Sequence, residues 1–275
     1  MHGSRFGKRD RLSAPTASIK MPRLTSSGVH DEREVAEERP VALVYDGTTV
    51  AVLMATPADL ADLALGFSLT EEIIGDIDEV DEFSIVAGAD GIELRTWLRP
   101  NAGRQLKERR RYLVGPTGCG LCGIESLREA NRIARPVERQ IRLAPGQVRL
   151  AIETLAASQV MGRTTRATHA AGFFVPDGTG MIVREDVGRH NALDKLAGAL
   201  AAEGISGRTG VVLLTSRISV EMVQKAAAIG TGIVVAISAP TALAVRTAQS
   251  TGITLVGIAR GQDFEIFSHP AGIAL

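Results

Sequence analysis

From Pro40 onward, apolar residues recur in short β-type runs and helical repeats. Val41 to Tyr45 and Thr49 to Ala55 bracket Asp46-Gly47, which predicts a hairpin. Thr56 then precedes Pro57, and Leu60, Leu63, Ala64 and Phe67 recur at helical spacing. That pattern predicts an N-cap, a proline in the first turn and an amphipathic helix covering the hairpin. Phe83 to Val86 and Ile92 to Trp97 predict a second hairpin, and a helix is expected from about Ile124 to Ile133. From Val148 the pattern alternates. A helix runs to about Val160, strands fall at Ala170 to Val175 and Met181 to Glu185, and a helix spans Asn191 to about Ala202. Strand Val211 to Leu214, helix Val220 to Ala228, strand Ile233 to Ile237, helix Thr241 to Gln249 and strand Ile253 to Ile258 follow, with an edge strand near Phe264 to Phe267. Apolar strands alternating with helices predict an α/β lobe with a mainly parallel sheet covered on both faces, over residues 141–275. Residues 35–140 form a smaller α+β lobe, with the boundary near 138 to 145.

Residues 1–34 read as a disordered basic tail, because Arg5, Lys8, Arg9, Arg11, Lys20, Arg23 and Arg33 stand amid Ser, Thr, Pro and Gly. The chain as a whole is balanced, with 31 Lys plus Arg against 31 Asp plus Glu. Net charge therefore gives no basis for nucleic-acid or membrane partners, and any anion site must be local. No secretory signal or membrane-length apolar run is evident, so a cytoplasmic location is expected.

Two cysteines occur, Cys119 and Cys122, in Gly115-Pro-Thr-Gly-Cys119-Gly-Leu-Cys122-Gly. Flanking glycines give access, and a following helix N-terminus lowers a thiol pKa and raises the thiolate fraction that sulfur chemistry needs. Cys119, the N-terminal member, is the expected covalent carrier, with Cys122 assisting or protecting it. Three other readings attach to the pair: half of a zinc site, a dithiol switch, or two buried small hydrophobes. The histidines lack the spacing to complete a zinc set.

A second constellation is Arg184-Glu-Asp-Val-Gly-Arg-His-Asn-Ala-Leu-Asp-Lys195, at a strand end and helix start. Arg189, His190 and Asn191 could hold a phosphate or carboxylate there. An internal salt-bridge network, with Glu185 and Asp186 as partners, fits the spacing equally well. Thr164 to His169 and Thr215 to Ser219 are polar turns that serve either a ligand or as helix caps, with Ser219 the expected N-cap.

Taken in order, the cysteine loop, the 184–195 segment, Ser216-Arg-Ile-Ser-Val-Glu-Met-Val-Gln-Lys225 and Ser238-Ala-Pro-Thr-Ala-Leu-Ala244 resemble the formate dehydrogenase accessory sulfurtransferase (FdhD) family. Thr56-Pro-Ala-Asp-Leu60 with Gly66-Phe67 is similar to that family's N-terminal lobe. The resemblance runs from about Val35 to Phe267. It implies a sulfurtransferase that takes persulfide sulfur from a cysteine desulfurase onto Cys119, with Cys122 as companion. The sulfur then goes to a bis(molybdopterin guanine dinucleotide) molybdenum cofactor for formate dehydrogenase, and a guanine nucleotide is expected to mimic that bound substrate. It further implies a homodimer, a three-layer C-terminal lobe similar to cytidine deaminases, and no metal ion of the protein's own. Carried over by position, Ile258, Ala259, Arg260, Gly261, Gln262 and Asp263 contact the cofactor, and the turns around His169, Arg189 and Arg217 reach its nucleotide ends. A chaperone that binds the cofactor without sulfur transfer, and a dithiol oxidoreductase, are the alternatives.

Two departures from the family pattern stand out. Thr165-Arg166-Ala167 replaces Thr-Gly-Gly, and Asp263-Phe-Glu-Ile-Phe267 replaces Phe-Asn-x-Tyr. Deamination does not carry over, since Ala171 stands where the acid/base would be.

Overall fold

The structure is a computed structural model that describes residues 16–100, 102, 134–176 and 180–275. Cys119, Cys122 and the helix expected at 124–133 lie outside the described residues.

The expected tail is a ribbon from Ser18 on. Strands β1 (Ser18–Leu24) and β2 (His30–Ala36) pair antiparallel around a turn closed by Thr25, whose carbonyl accepts from Gly28 N at 2.9 Å. Cross-strand partners explain the difference: Ile19 faces Val35, and Arg23 meets Asp31 at 2.6 Å. Composition alone hid this pairing, because opposite charges are split between the two strands.

The N-terminal lobe is a four-stranded sheet in the order β4–β3–β6–β5, built from β3 (Arg39–Tyr45), β4 (Thr48–Ala55), β5 (Val80–Ala87) and β6 (Ile92–Leu98). Both expected hairpins are present, joined by a parallel β3–β6 pairing. Helix α1 (Leu60–Thr70) covers one face, packing Leu60, Leu63 and Phe67 with Val41, Leu43, Ile92 and Leu94. It begins later than the sequence suggests. Asp59, in the left-handed region at φ 50, holds the N-cap position, and Thr56 is withdrawn from the helix to bond with the other lobe.

The C-terminal lobe is a six-stranded sheet in the order β12–β11–β10–β9–β7–β8. Its strands are β7 (His169–Val175), β8 (Gly180–Asp186), β9 (Val211–Leu214), β10 (Ile233–Ala236), β11 (Thr254–Arg260) and β12 (Asp263–Ser268). The expectation of a mainly parallel sheet is corrected. Only β9, β10 and β11 are mutually parallel, while β7, β8 and β12 pair antiparallel. The apolar runs were misleading because burial on both faces, not strand direction, removes alternation. That burial is real. Helices α4 (Arg189–Ala202), α5 (Val220–Ile229) and α6 (Ala242–Thr251) cover Phe173, Val212, Leu214 and Val234, while α2 (Pro145–Ser158) covers Phe174, Val211, Leu213 and Val235 on the opposite face. A short α3 (Val160–Thr165) leads into β7. No helix among the described residues is long and apolar enough to cross a membrane.

The lobes meet where α1 lies against α4, and two glycines set the closeness. A Cβ at Gly66 would fall 1.7 Å from the Asp194 carbonyl oxygen, and one at Gly198 would fall 2.0 Å from that of Asp62. No side-chain movement can relieve a clash with backbone. Gly66→Ala is therefore expected to lower the unfolding free energy by at least about 3 kcal/mol, measured by urea denaturation.

Candidate ligand-binding edge

Three parallel strands end at one edge of the C-terminal sheet, and the antiparallel neighbours bring their own polar ends to it. β7 runs against β9, so its first residue, His169, lies beside the residues that follow Leu214; Thr215 N donates to Ala170 O at 3.1 Å. β8 runs against β7, which pairs His169 with Asp186 and starts α4 at the same edge. Arg217 follows β9 and is exposed, and the 258–263 segment spans the end of β11 and its turn into β12. His169, Arg189, Arg217 and the 258–263 segment thus share one edge, the position at which open α/β sheets take ligands.

The loops at this edge are stitched to one another. Ile218 N donates to Ala239 O at 3.2 Å, Thr241 N to Ile218 O at 2.9 Å, and Ile258 N to Ser238 O at 3.2 Å. Arg260 Nε donates to Ile237 O at 2.9 Å, while Ala259 is buried and Ile258, Gly261, Gln262 and Asp263 are exposed. Ile258 adopts φ 53 at an irregular pairing between β11 and β12. A β-branched residue in the left-handed region is strained, which marks the segment as held in place by its surroundings.

The 184–195 constellation resolves mainly into the internal network. Asp186 and Lys195 are fully buried and paired at 2.6 Å. Asp186 Oδ2 also accepts from Thr56 N at 3.0 Å, and Oδ1 accepts from Gly188 N at 2.8 Å and Asn191 Nδ2 at 3.0 Å. Lys195 Nζ donates to Thr56 O at 2.9 Å, and Thr56 Oγ1 accepts from Val187 N at 3.1 Å. Arg184 pairs with Asp62 at 2.7 Å, and Glu185 accepts from Met161 N and Gly162 N at the start of α3. Lys225 closes a second buried cluster, with Asp194 at 2.8 Å, Glu71 at 2.7 Å and Thr70 at 3.0 Å, beneath the Phe67 ring. Burial acts to lower the Lys225 pKa, but Asp194 and Glu71 outweigh it and hold the ammonium charged.

Arg189 and His190 stand apart from that network. Arg189 Nε is buried without a hydrogen-bond partner among the described residues. Burial first, and then the Arg189 charge, pushes the His169 pKa down. Burial likewise drives His190 to about 4, helped by Arg189 and Lys225 and opposed by Glu221 and Glu71. Glu221 stays below its ordinary value: burial pushes it up, yet Ser219 and its own backbone N–H, with His190 and Arg189, prevail. Ser219 takes the expected N-cap position on α5 but makes no side-chain capping bond. At α4 the N-cap is Gly188, which has no side chain to satisfy the first helical N–H groups. Unsatisfied N–H groups, a helix N-terminus and Arg189 together suit a phosphate or carboxylate.

The Thr165-Arg166-Ala167 departure has a structural reading. Arg166 ends α3 in the left-handed region, φ 59, with its N–H donating to Gly162 O. That conformation favours glycine, so the backbone keeps a glycine-like path while carrying an arginine. The role of Glu221 and the recruitment of Thr56 were not visible in the sequence; Thr56 had the look of an ordinary cap.

The FdhD/NarQ family model matches residues 36–274. This chain belongs to the FdhD/NarQ family. It is 50% identical over 245 residues to the sulfur carrier protein FdhD of Agrobacterium fabrum, covering 89% of this chain and 90% of that protein. The FdhD proteins of Cupriavidus necator and Bordetella bronchiseptica are 50% and 44% identical over 237 and 274 residues. Those matches cover 86% and 100% of this chain, and 82% and 99% of the relatives. The fold matches a crystal structure from Desulfotalea psychrophila, of a protein named for a formate dehydrogenase accessory role. Its TM-score is 0.73 at 24% identity, over 94% of this chain and all of that one.

Because His190 is neutral in the folded protein well below pH 6.5, acid opposes folding there. Between pH 6.5 and about 4 the unfolded chain takes up a proton that the folded chain refuses. Relative to His190→Gln, the wild-type protein should lose up to about 3 kcal/mol of stability across that window, read from urea unfolding at stepped pH.

Proposed function

We propose that this chain is a sulfur carrier of the sulfurtransferase type, acting through a persulfide on Cys119. The Cys119 thiolate attacks the outer sulfur of a cysteine desulfurase persulfide. A new S–S bond forms on Cys119 as the donor's bond breaks and its cysteine leaves as thiolate. The S–S bond on Cys119 then breaks, Cys119 leaves as thiolate, and the outer sulfur, taken to the sulfide level by two electrons from the reduced metal, goes to molybdenum in a bis(molybdopterin guanine dinucleotide) cofactor, which is the substrate, destined for formate dehydrogenase. Cys122 acts as companion thiol, and the reading takes the protein as a cytoplasmic homodimer.

The observation that carries this reading is the family match: the matched span 36–274 contains both cysteines, and relatives at 44–50% identity are named sulfur carrier proteins. The polar sheet edge supplies the complementary half. Arg189, Arg217 and Arg260 are suited to the phosphates of a dinucleotide, with His169 and the 258–263 segment beside them.

Intact mass after incubation with a cysteine desulfurase and cysteine tests the proposal. Wild-type and Cys122→Ala proteins are expected to gain one reductant-labile sulfur atom, and Cys119→Ala none. No gain in any form would contradict sulfur transfer and favour a cofactor chaperone.

A further inference from the structure

We propose that Asn191 is a positioning residue through which the N-terminal lobe sets the affinity of the α4 turn for its anionic ligand. The inference rests on reading the polar edge as the nucleotide site. Arg189, His190 and Asn191 are the first three residues of α4, and the third turns its side chain inward, leaving it 6% exposed. Both hydrogens of its amide nitrogen are committed: Nδ2 donates to Met54 O at 2.8 Å and to Asp186 Oδ1 at 3.0 Å. Met54 belongs to β4 of the N-terminal lobe, and Asp186 ends β8 of the C-terminal lobe. One amide therefore spans the junction directly beneath the turn that carries Arg189.

The turn is shaped around that amide. A Cβ on Gly188 would lie 2.8 Å from Asn191 Nδ2 and 3.4 Å from Asp186 Oδ1, so the inward amide needs glycine there. An Asp or Ser at this N-cap would ordinarily bond to the first N–H groups of the helix. Here the carboxylate that fixes the turn is Asp186, two residues earlier, and it accepts from Gly188 N instead of from the helix. Holding the turn and capping the helix are thus separated. The turn is rigid while the helix N-terminus stays open to a ligand, and Asn191 is the member of that arrangement that ties it to β4. Without its amide, Met54 O and Asp186 each lose a donor, and the turn loses its register against the N-terminal lobe.

The test is calorimetric titration of the full-length chain with GDP, below the melting temperature of every variant. Asn191→Ala and Gly188→Ala are expected to bind GDP about tenfold more weakly than wild type, the scale of coupling through a shared contact. Leu155→Ala, which opens the α2 core on the sheet face opposite α4, is the control for destabilisation alone and is expected to lower Tm without changing affinity. Wild-type affinity in both turn variants would overturn the proposal, as would an equal loss in Leu155→Ala. No GDP binding by the wild-type protein would instead overturn the nucleotide-site reading, and the positioning role with it.

Discussion

The buried ion pair between Asp186 and Lys195 is the constraint on which the rest of this molecule depends. Both groups are fully withdrawn from water, a cost that is offset only when the remaining hydrogen-bonding capacity is filled. Here it is filled across the lobe boundary: Thr56 gives its N–H to the carboxylate and its carbonyl to the ammonium. A strand end of one lobe and a helix start of the other therefore cannot separate without taking two backbone hydrogen bonds from the buried pair. The glycine-mediated contact of α1 with α4 and the Lys225 cluster add backbone closeness and a second charged tie at the same junction.

The proposed ligand edge is built from what that network leaves out. Asp186, Asn191 and Lys195 are consumed in holding the turn, while Arg189 Nε has no partner among the described residues and α4 has no side-chain cap. Burial first, and then the Arg189 charge, keeps His169 and His190 neutral, and hydrogen bonds hold Glu221 below its ordinary value, which gives the edge neutral imidazoles and one carboxylate near pH 7. Neutral imidazoles beside an arginine provide hydrogen bonding to a ligand without adding to the charge that must be desolvated. The strained Ile258 on the far side of the edge holds a backbone conformation that persists only because its surroundings impose it.

Much of this was legible in the sequence. Short β-rich and apolar runs located most strands, and the 184–195 segment stood out because so many ionisable groups at one helix start need a reason. Other features were not legible, for physical reasons. Strand direction cannot be read from residues buried on both faces, so the antiparallel β7–β8 pair looked like part of a parallel sheet. Thr56 before Pro57 has every local mark of a helix start, and only the distant Asp186 and Lys195 claim it for another use. The β1–β2 ribbon escaped notice because its pairing is carried by cross-strand partners and not by composition. Between an anion site and a salt-bridge network, spacing could not choose; the network takes Asp186, Asn191 and Lys195 and leaves Arg189 Nε without a partner among the described residues.

Urea unfolding of Lys195→Met against the wild-type chain tests the dependence on the ion pair most directly. Methionine keeps much of the length and apolar character of the side chain but leaves Asp186 as a buried charge without its counter-ion. The expected result is a loss of about 3–5 kcal/mol, the cost of breaking a buried pair by removing one partner. A change within about 1 kcal/mol of wild type would show that the fold does not depend on this pair, and would contradict its governing role.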